Sequence, residues 1–475
     1  MPHDSGDTAK PFSLPPLGIS TCRLRGFPQP YAAVEAAGAV GIQLFATFPA
    51  LDDGFSESAV GEWSSHQGRS PEVVVFLGLL EGVLYHRAVE RAREAHPYPE
   101  LLHLHDGLAY CLHPRFVQEQ LEASRQRLHR DRLSGVLLQR PELFLQWAAQ
   151  HSIPPDEAQH ELLRRLEQAF AFLEQECRQG RLNAYGLQLE SPSSLPIAEL
   201  FELATTVGTP SHHCRLLAVP FNLFEPEAAT EPIADGHTLL EYAASYGIHV
   251  LVYRPLNARF RGRPILLAEP PVEKPALVSV EHIRGQLREF IHTETDVLRL
   301  LMEQPLDGAY RDIVRESLTL SLFLHDHWHE FASYEDWMAL QEGYLSDRFR
   351  SLRAFLEPLL TTDALVQQWN AYTERFHQVL TDIGRLYAAR AYDRARRLRE
   401  FIHDALGYSL PPVSFAQLAL ALVRHTTGVG SVLLSSTSAD HLAEFAAVER
   451  LAMPSLGRQE WLRLREAHTI LQHGF

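Results

Sequence analysis

The chain has 475 residues, enough for one large domain with an insertion or for two or three ordinary domains. Its 45% hydrophobic and 21% charged residues and mean hydropathy of −0.15 are those of a soluble globular protein and exclude general disorder. A net charge of −16 excludes nucleic-acid backbone binding as its main business, because that needs a basic surface. No apolar run approaches the roughly 18 residues that suggest a membrane span, so no membrane partner is expected. The opening MPHDSGDTAKPF lacks the basic flank and apolar stretch of a signal peptide, and residues 1–12 are expected to form a flexible tail. Cys22, Cys111, Cys177 and Cys214 lie far apart with no CxxC pair, so a reducing cytoplasm is expected, without a zinc site or disulfide framework.

Along the chain, short apolar runs alternate with helical periods, the pattern of parallel strands joined by crossover helices. The predicted strands are Leu17–Cys22, Gly41–Phe45, Glu72–Leu77, Leu133–Leu138, Ala184–Leu189, Leu216–Phe221, Ile248–Tyr253 and Gly430–Leu434. Between them, Pro114 suits a first helical turn, and Val117, Leu121, Ser124 and Leu128 then share a face. Leu162, Leu166, Ala169, Leu173 and Cys177 form a second stripe that stops at Gly180, and Leu239, Ala243 and Tyr246 a third that stops at Gly247. Repeated units of this length fit a (β/α)₈ barrel, with a doubly wound open sheet as the alternative that periodicity leaves open.

The regularity breaks after Tyr253. Pro264, Pro270, Pro271 and Pro275 form one proline-rich stretch and Pro411–Pro412 another, with only helical patterns between them. The expected organisation is a barrel over 13–262, a helical insertion over 263–409 between the seventh and eighth strands, and the rest of the barrel over 410–475. Trp328, Trp337 and Trp369 are expected to fill the core of the insertion.

In this order the segments resemble the aldo-keto reductases. LPPLGIST is similar to that family's opening strand, and GIQLFATFPALDDGFSES to its GxNxxDTAxxYGxGxSE segment. QLEASRQRLHRDRLSGVLLQRPE, LEQECRQGRLNAYGLQLES and LLAVPFNLFEPE resemble its middle segments. YGIHVLVYRPLNAR and SVLLSSTSADHLAEF resemble the two late segments that hold the nucleotide. The resemblance implies hydride transfer from NADP(H) to a carbonyl by an Asp, Tyr, Lys and His at strand ends. In such a group the lysine's charge must lower the tyrosine's phenol pKa from near 10. It also implies that a long loop after the seventh strand lies over the cofactor, so the insertion is expected to cap the mouth or to present a new surface there.

All four catalytic positions are replaced: the aspartate by Ala46, the tyrosine by Leu51, the lysine by Gly78 and the histidine by Gln139. Three of these side chains carry no titratable proton, and an amide cannot act as an acid near neutral pH. The nucleotide positions depart as well, to Gln188, Glu190, Ala218, Ser435, Ser436 and Thr437, with Tyr253 surviving as a ring that could stack on a flat ligand. Gly54, Ser56–Glu57, Pro141–Glu142, Gly186, Asn222 and Pro255–Leu256 persist from the family pattern. The expectation is a pseudoenzyme that binds a small molecule or a protein partner, without a cofactor. The alternatives are an NADP-dependent oxidoreductase with replacement residues, and a barrel that merely supports a binding insertion.

Further constellations stand outside that scheme. His325 and His329 of HDHWHE share a helical face at a spacing a metal could use, but no third ligand can be named, so no metal is expected. His103 and His105 are read the same way. Arg390, Arg394 and Arg397 recur at helical spacing and could grip phosphate, or form a solvated face balanced by Asp393 and Glu400. HTTGVGSVLLSS carries glycines but lacks the Lys-Ser/Thr pair of a phosphate-binding P-loop.

Overall fold

The computed structural model describes residues 12–22, 24, 28–209, 211–260, 263–331 and 333–469. Residues 1–11 of the expected tail lie outside these. Phe12, placed in that tail by the sequence, instead packs edge-on against His249. The chain divides into two compact units. One takes in Met1–Leu256, Leu410–Val413 and Gln417–Arg465, the other Asn257–Ser409, Ser414–Ala416 and Glu466–Phe475. The division falls at Leu256 rather than at 262, because Asn257–Phe260 and Arg263–Leu266 pair as an antiparallel hairpin and belong to the same unit.

The first unit is a closed barrel of eight parallel strands: β1 (Leu17–Ser20), β2 (Leu44–Thr47), β3 (Glu72–Leu77), β4 (Leu133–Gln139), β5 (Leu182–Gln188), β6 (Cys214–Pro220), β7 (His249–Tyr253) and β8 (Val429–Leu434). Consecutive strands are neighbours, and β8 closes on β1 with Leu17 opposite Val432. The open-sheet alternative is therefore excluded. Leu44, Ala46, Val74, Phe76, Leu137, Ala184, Leu216, Ala218, Leu251 and Leu433 point inward and form one apolar cluster. Their spacing of two along each strand is the side-chain alternation of β-structure, and it fills the barrel with a packed core rather than a pore. Close strand approach is paid for in side-chain size at Gly186, where a Cβ would lie 1.7 Å from the carbonyl oxygen of Leu216.

Helices α1 (Gln29–Ala39), α2 (Phe55–Gln67), α3 (Pro114–Arg127), α4 (Pro155–Arg178), α5 (Ile197–Val207) and α6 (Leu239–Ser245) join the strands. The apolar stripe read from the sequence of α4 is its buried face, from Leu162 to Cys177. In α6, Thr238 and Glu241 form a reciprocal capping box that fixes the helix start. Between β3 and β4 the sequence signalled no further strand. Leu79–Leu80, Leu102–His105 and Leu108–Tyr110 nonetheless make a small three-stranded antiparallel sheet there.

In the second unit the hairpin is followed by helices α7 (Val280–Met302), α8 (Gly308–Ser317), α9 (Leu320–His327), α10 (Tyr334–Leu340), α11 (Ser346–Leu356) and the 44-residue α12 (Asp363–Leu406). Ile283, Leu287, Phe290, Val297 and Leu301 of α7 face Trp369, Tyr372, Phe376, Ile383 and Leu386 of α12 in one core. Trp328 and Trp337 lie in the same core, as the sequence leads one to expect. Among the described residues no helix is long and apolar enough to cross a membrane.

Candidate functional site

The C-terminal ends of the strands form the barrel mouth, where enzymes of this architecture place their chemistry. Ala46 is fully buried near the end of β2, in an apolar cluster with Phe48 and Phe76, and half-buried Leu51 packs on that cluster. Phe48 and Phe76 stack with centroids 4.3 Å apart. Gly78 follows β3 and Gln139 ends β4, and the β3–β4 register carries them side by side. A Cβ at Gly78 would lie 3.3 Å from the Gln139 carbonyl oxygen and 3.2 Å from the ring of Tyr110. The Gly78 backbone has φ +136°, a conformation that residues with a side chain rarely adopt. The four positions thus form two pairs, one apolar and one backbone-crowded. Tyr110, from the unanticipated small sheet, occupies the space beside Gly78 and donates its hydroxyl to the Gln139 carbonyl at 2.7 Å.

Several of the residues that carry the resemblance, Ser56, Glu57, Glu142 and Asn222, hold the loops around this mouth. Buried Glu57 accepts from Thr47 at 3.2 Å and pairs with Arg127 at 2.6 Å, tying α2 to α3. Ser56 accepts from Thr21, and Asp52 accepts from the backbone N–H groups of Gly54 and Ser56. Glu142 Oε1 takes the N–H groups of Glu190 and Ser191, which sets the loop after β5. Asn222 Oδ1 accepts from Phe224 and Glu225, while its amide nitrogen donates to Glu225 and to the Arg254 carbonyl. These roles need no reaction to explain them.

A polar network spans the ends of β5, β6 and β7. Gln188 donates to the hydroxyl of Tyr253 at 3.0 Å, and that hydroxyl faces the Leu189 carbonyl at 2.7 Å and Glu190 at 3.0 Å. Arg254 bridges Glu190 and Glu225, each at 2.5 Å. Burial pushes the Glu190 carboxyl up, but the Arg254 charge and the bonds from Arg254 and Tyr253 outweigh it and hold it below the ordinary range. Burial and then the Glu190 charge push the Tyr253 phenol well above its usual value, and burial followed by the Glu142 charge does the same for Tyr110. Both phenols are shifted away from proton transfer near neutral pH. Gln139 and Gln188, 4% and 6% exposed and opposite each other in register, retain side-chain oxygens with no partner.

No protein-family model matches the sequence, and no curated protein matches it. Among solved structures the chain is similar to an aldo-keto reductase from Bacillus halodurans in its holo form. The identity is 13% over 95% of this chain and 91% of that one, with a TM-score of 0.45. It is also similar to the glycerol dehydrogenase from Gluconobacter oxydans, at 13% identity over 98% and 97% of the two chains and a TM-score of 0.47. The eight-stranded closed parallel barrel with its joining helices is by itself a (β/α)₈ fold.

A nicotinamide dinucleotide is a poor match for the residues at the expected nucleotide positions. None of the seven is a cation and Glu190 is a carboxylate, so the set offers phosphate no charge partner. Ala218 is fully buried and apolar. The Ser435 hydroxyl donates to the Ser20 carbonyl at 2.6 Å, closing β8 on β1, and Ser436 accepts from the Ser438 backbone. Thr437 lies in the same turn, ahead of a helix over Ala439–Ala447 that Ser438 caps. The structure thus brings Gln188, Glu190 and Tyr253 into one network and leaves Ala218 and Ser435–Thr437 outside it. Sequence reasoning missed Arg254 and Glu225. The signal was the arginine directly after Tyr253, which pairs with both Glu190 and Glu225.

Elsewhere, His103 and His105 lie on the small sheet. Among the described residues no three His, Cys, Asp or Glu side chains converge as a metal site. Arg397 pairs with Asp393, while Arg396 pairs with both Asp393 and Glu400, the balanced face considered from sequence. Arg390 takes no part in it.

Proposed function

We propose that the barrel is a catalytically silent relative of the reductases, kept as a binding or regulatory element for a small molecule or protein partner, without a resident cofactor. One observation carries this reading. At the four positions, at and just beyond the strand ends, that would hold the proton-transfer group stand a methyl, an isobutyl, a hydrogen atom and an amide. The geometry supports it, since the space beside Gly78 is taken by Tyr110 and that of Ala46 by stacked phenylalanines. Loss of general acid catalysis alone forfeits about 10²–10⁴-fold in rate, and here the residue that would activate the acid is gone as well.

The test is NADPH consumption by the full chain against a broad panel of aldehydes and ketones, with NADPH binding followed by calorimetry. No rate above the uncatalysed background and no saturable NADPH binding are expected. Turnover near the usual median of about 10 s⁻¹ would overturn the proposal in favour of an NADP-dependent oxidoreductase with replacement residues.

A further inference from the structure

The helical unit carries a cavity of 690 Å³ that none of the barrel's features uses. Arg284 and Arg288, one turn apart on α7, face it together with Arg390 of α12, His325 of α9, His329 and the ring of Trp328. Among the described residues none of the three arginines forms an ion pair or hydrogen bond, and Arg390 merely lies over the ring of Tyr387 at 5.7 Å. Other arginines of the same unit are neutralised: Arg299 by Asp296 and Glu303, Arg315 by Asp312, Arg350 by Asp347, and Arg385 by Asp382. In a chain of net charge −16, three unpaired guanidinium groups around one cavity form a local field of the opposite sign.

Other features of the cavity have the same sense. Its wall includes Val280 and Glu281 in the first turn of α7, a 23-residue helix whose N-terminus adds partial positive charge. Glu281 is the one carboxylate among the described lining residues, and His325 is turned toward Asp326 at 2.9 Å. A guanidinium fork matches phosphate oxygens two at a time, so three forks suit more than one phosphate. The volume lies in the range of small-molecule sites, and Trp328 supplies an apolar wall for an organic remainder. We propose that this cavity binds a small molecule bearing two or more adjacent phosphate groups. The assignment is independent of whether the barrel is catalytic.

The experiment is calorimetric titration of the full chain with inorganic pyrophosphate at low salt, where charge interactions are least screened. Saturable binding at one site is expected, with orthophosphate at least about tenfold weaker. Each of Arg284→Gln, Arg288→Gln and Arg390→Gln is expected to weaken pyrophosphate by about tenfold or more. Arg299→Gln, on the same helix but away from the cavity, is expected to leave binding unchanged. The arginines are exposed, so the variants should fold, and circular dichroism checks that they do. Absence of saturable binding at millimolar pyrophosphate would overturn the proposal. So would equal affinity for orthophosphate, or unchanged binding in the triple variant.

Discussion

The barrel mouth and the cavity of the helical unit handle charge in opposite ways. At the mouth Arg254 is divided between two carboxylates, Arg127 is spent on Glu57, and Glu142 holds backbone N–H groups. At the helical cavity Arg284, Arg288 and Arg390 have no ion pair or hydrogen bond among the described residues. Charges satisfied internally stabilise a structure and have little left to offer a ligand. Unsatisfied ones cost the fold a little through mutual repulsion and keep their full attraction for a partner. The difference teaches that the strand ends mark where a barrel is expected to carry a site, while the distribution of unmet charge is what supports proposing another.

The largest expected effect tests the barrel side of that contrast. Arg254→Ala would leave Glu190 and Glu225 facing each other with their shared cation gone, at positions where all three side chains are mostly buried. Removing one partner of such a group costs about 3–5 kcal/mol. Urea unfolding should show this loss, and adding Glu190→Gln and Glu225→Gln to Arg254→Ala should recover part of it. A loss below about 1 kcal/mol would mean that the mouth is solvated and its charges are as available as those of the helical unit.

The second effect is a pH dependence at the other end of β7. Burial, and then the Arg424 charge, lowers His249 from 6.5 to about 4, and its Nε2 lies 2.7 Å from the Ser431 hydroxyl. A histidine whose folded pKa lies below its unfolded one favours folding in its neutral form. Its contribution is therefore complete above about 6.5 and is lost as pH falls from there through 4. The loss amounts to roughly 1–3 kcal/mol. Unfolding free energies of the native chain and of His249→Gln, measured at intervals across that window, should converge toward its acid end. Parallel curves would show that the imidazole titrates normally.

The third concerns the positions that the resemblance marks as catalytic. Gly78 has φ +136° and its missing side chain would press on Tyr110, so Gly78→Ala should cost about 1–3 kcal/mol before any charge is introduced. Gly78→Lys should cost at least as much, and pairing it with Ala46→Asp should not confer carbonyl reduction. Tyr110→Ala is expected to relieve the steric part of the penalty and leave the conformational part. If Gly78→Lys were tolerated without loss, the backbone there would be free to turn, and the mouth could be rebuilt by side chains alone.

How much of this was written in the sequence differs by level. The eight strands are legible because apolar runs such as Val73–Phe76 and Leu133–Leu138 are bounded by turns and separated by helical periods. Their edges move by a few residues; Gly41, expected to open β2, sits at φ +82° in the turn before it. The small sheet over 79–110 was not legible, since LHLH and LAY are too short and too polar to stand out. The positions expected to be catalytic, Ala46, Leu51, Gly78 and Gln139, could be named only through the resemblance, and Tyr110 beside Gly78 could not be named at all, because that contact joins segments with no shared pattern. The helical cavity was half visible. HDHWHE and the Arg390 repeat were both noticeable, yet what unites them is the return of α12 along α7, a packing relation that places Arg284 and Arg390 on one cavity.

The smallest expected effect is the one that separates the two regions most sharply. If the arginines of the helical cavity have no internal role, replacing them should leave stability almost unchanged. Surface substitutions away from packing and buried polar groups fall within about 0.5 kcal/mol of zero. Arg284→Gln and Arg288→Gln keep a long, helix-compatible side chain and remove one of two like charges a turn apart, a repulsion that costs about 0.2–0.5 kcal/mol. Their expected change is therefore zero to slightly stabilising. Arg390→Gln should be neutral or slightly unfavourable, since it gives up a weak contact over the Tyr387 ring. Thermal or urea unfolding without phosphate measures this directly, and the gain from the first two should fade as salt screens the repulsion. A loss above about 1 kcal/mol in any of them would place that arginine in the architecture of the helical unit, as Arg254 is in the barrel, and would remove the contrast on which the phosphate assignment stands.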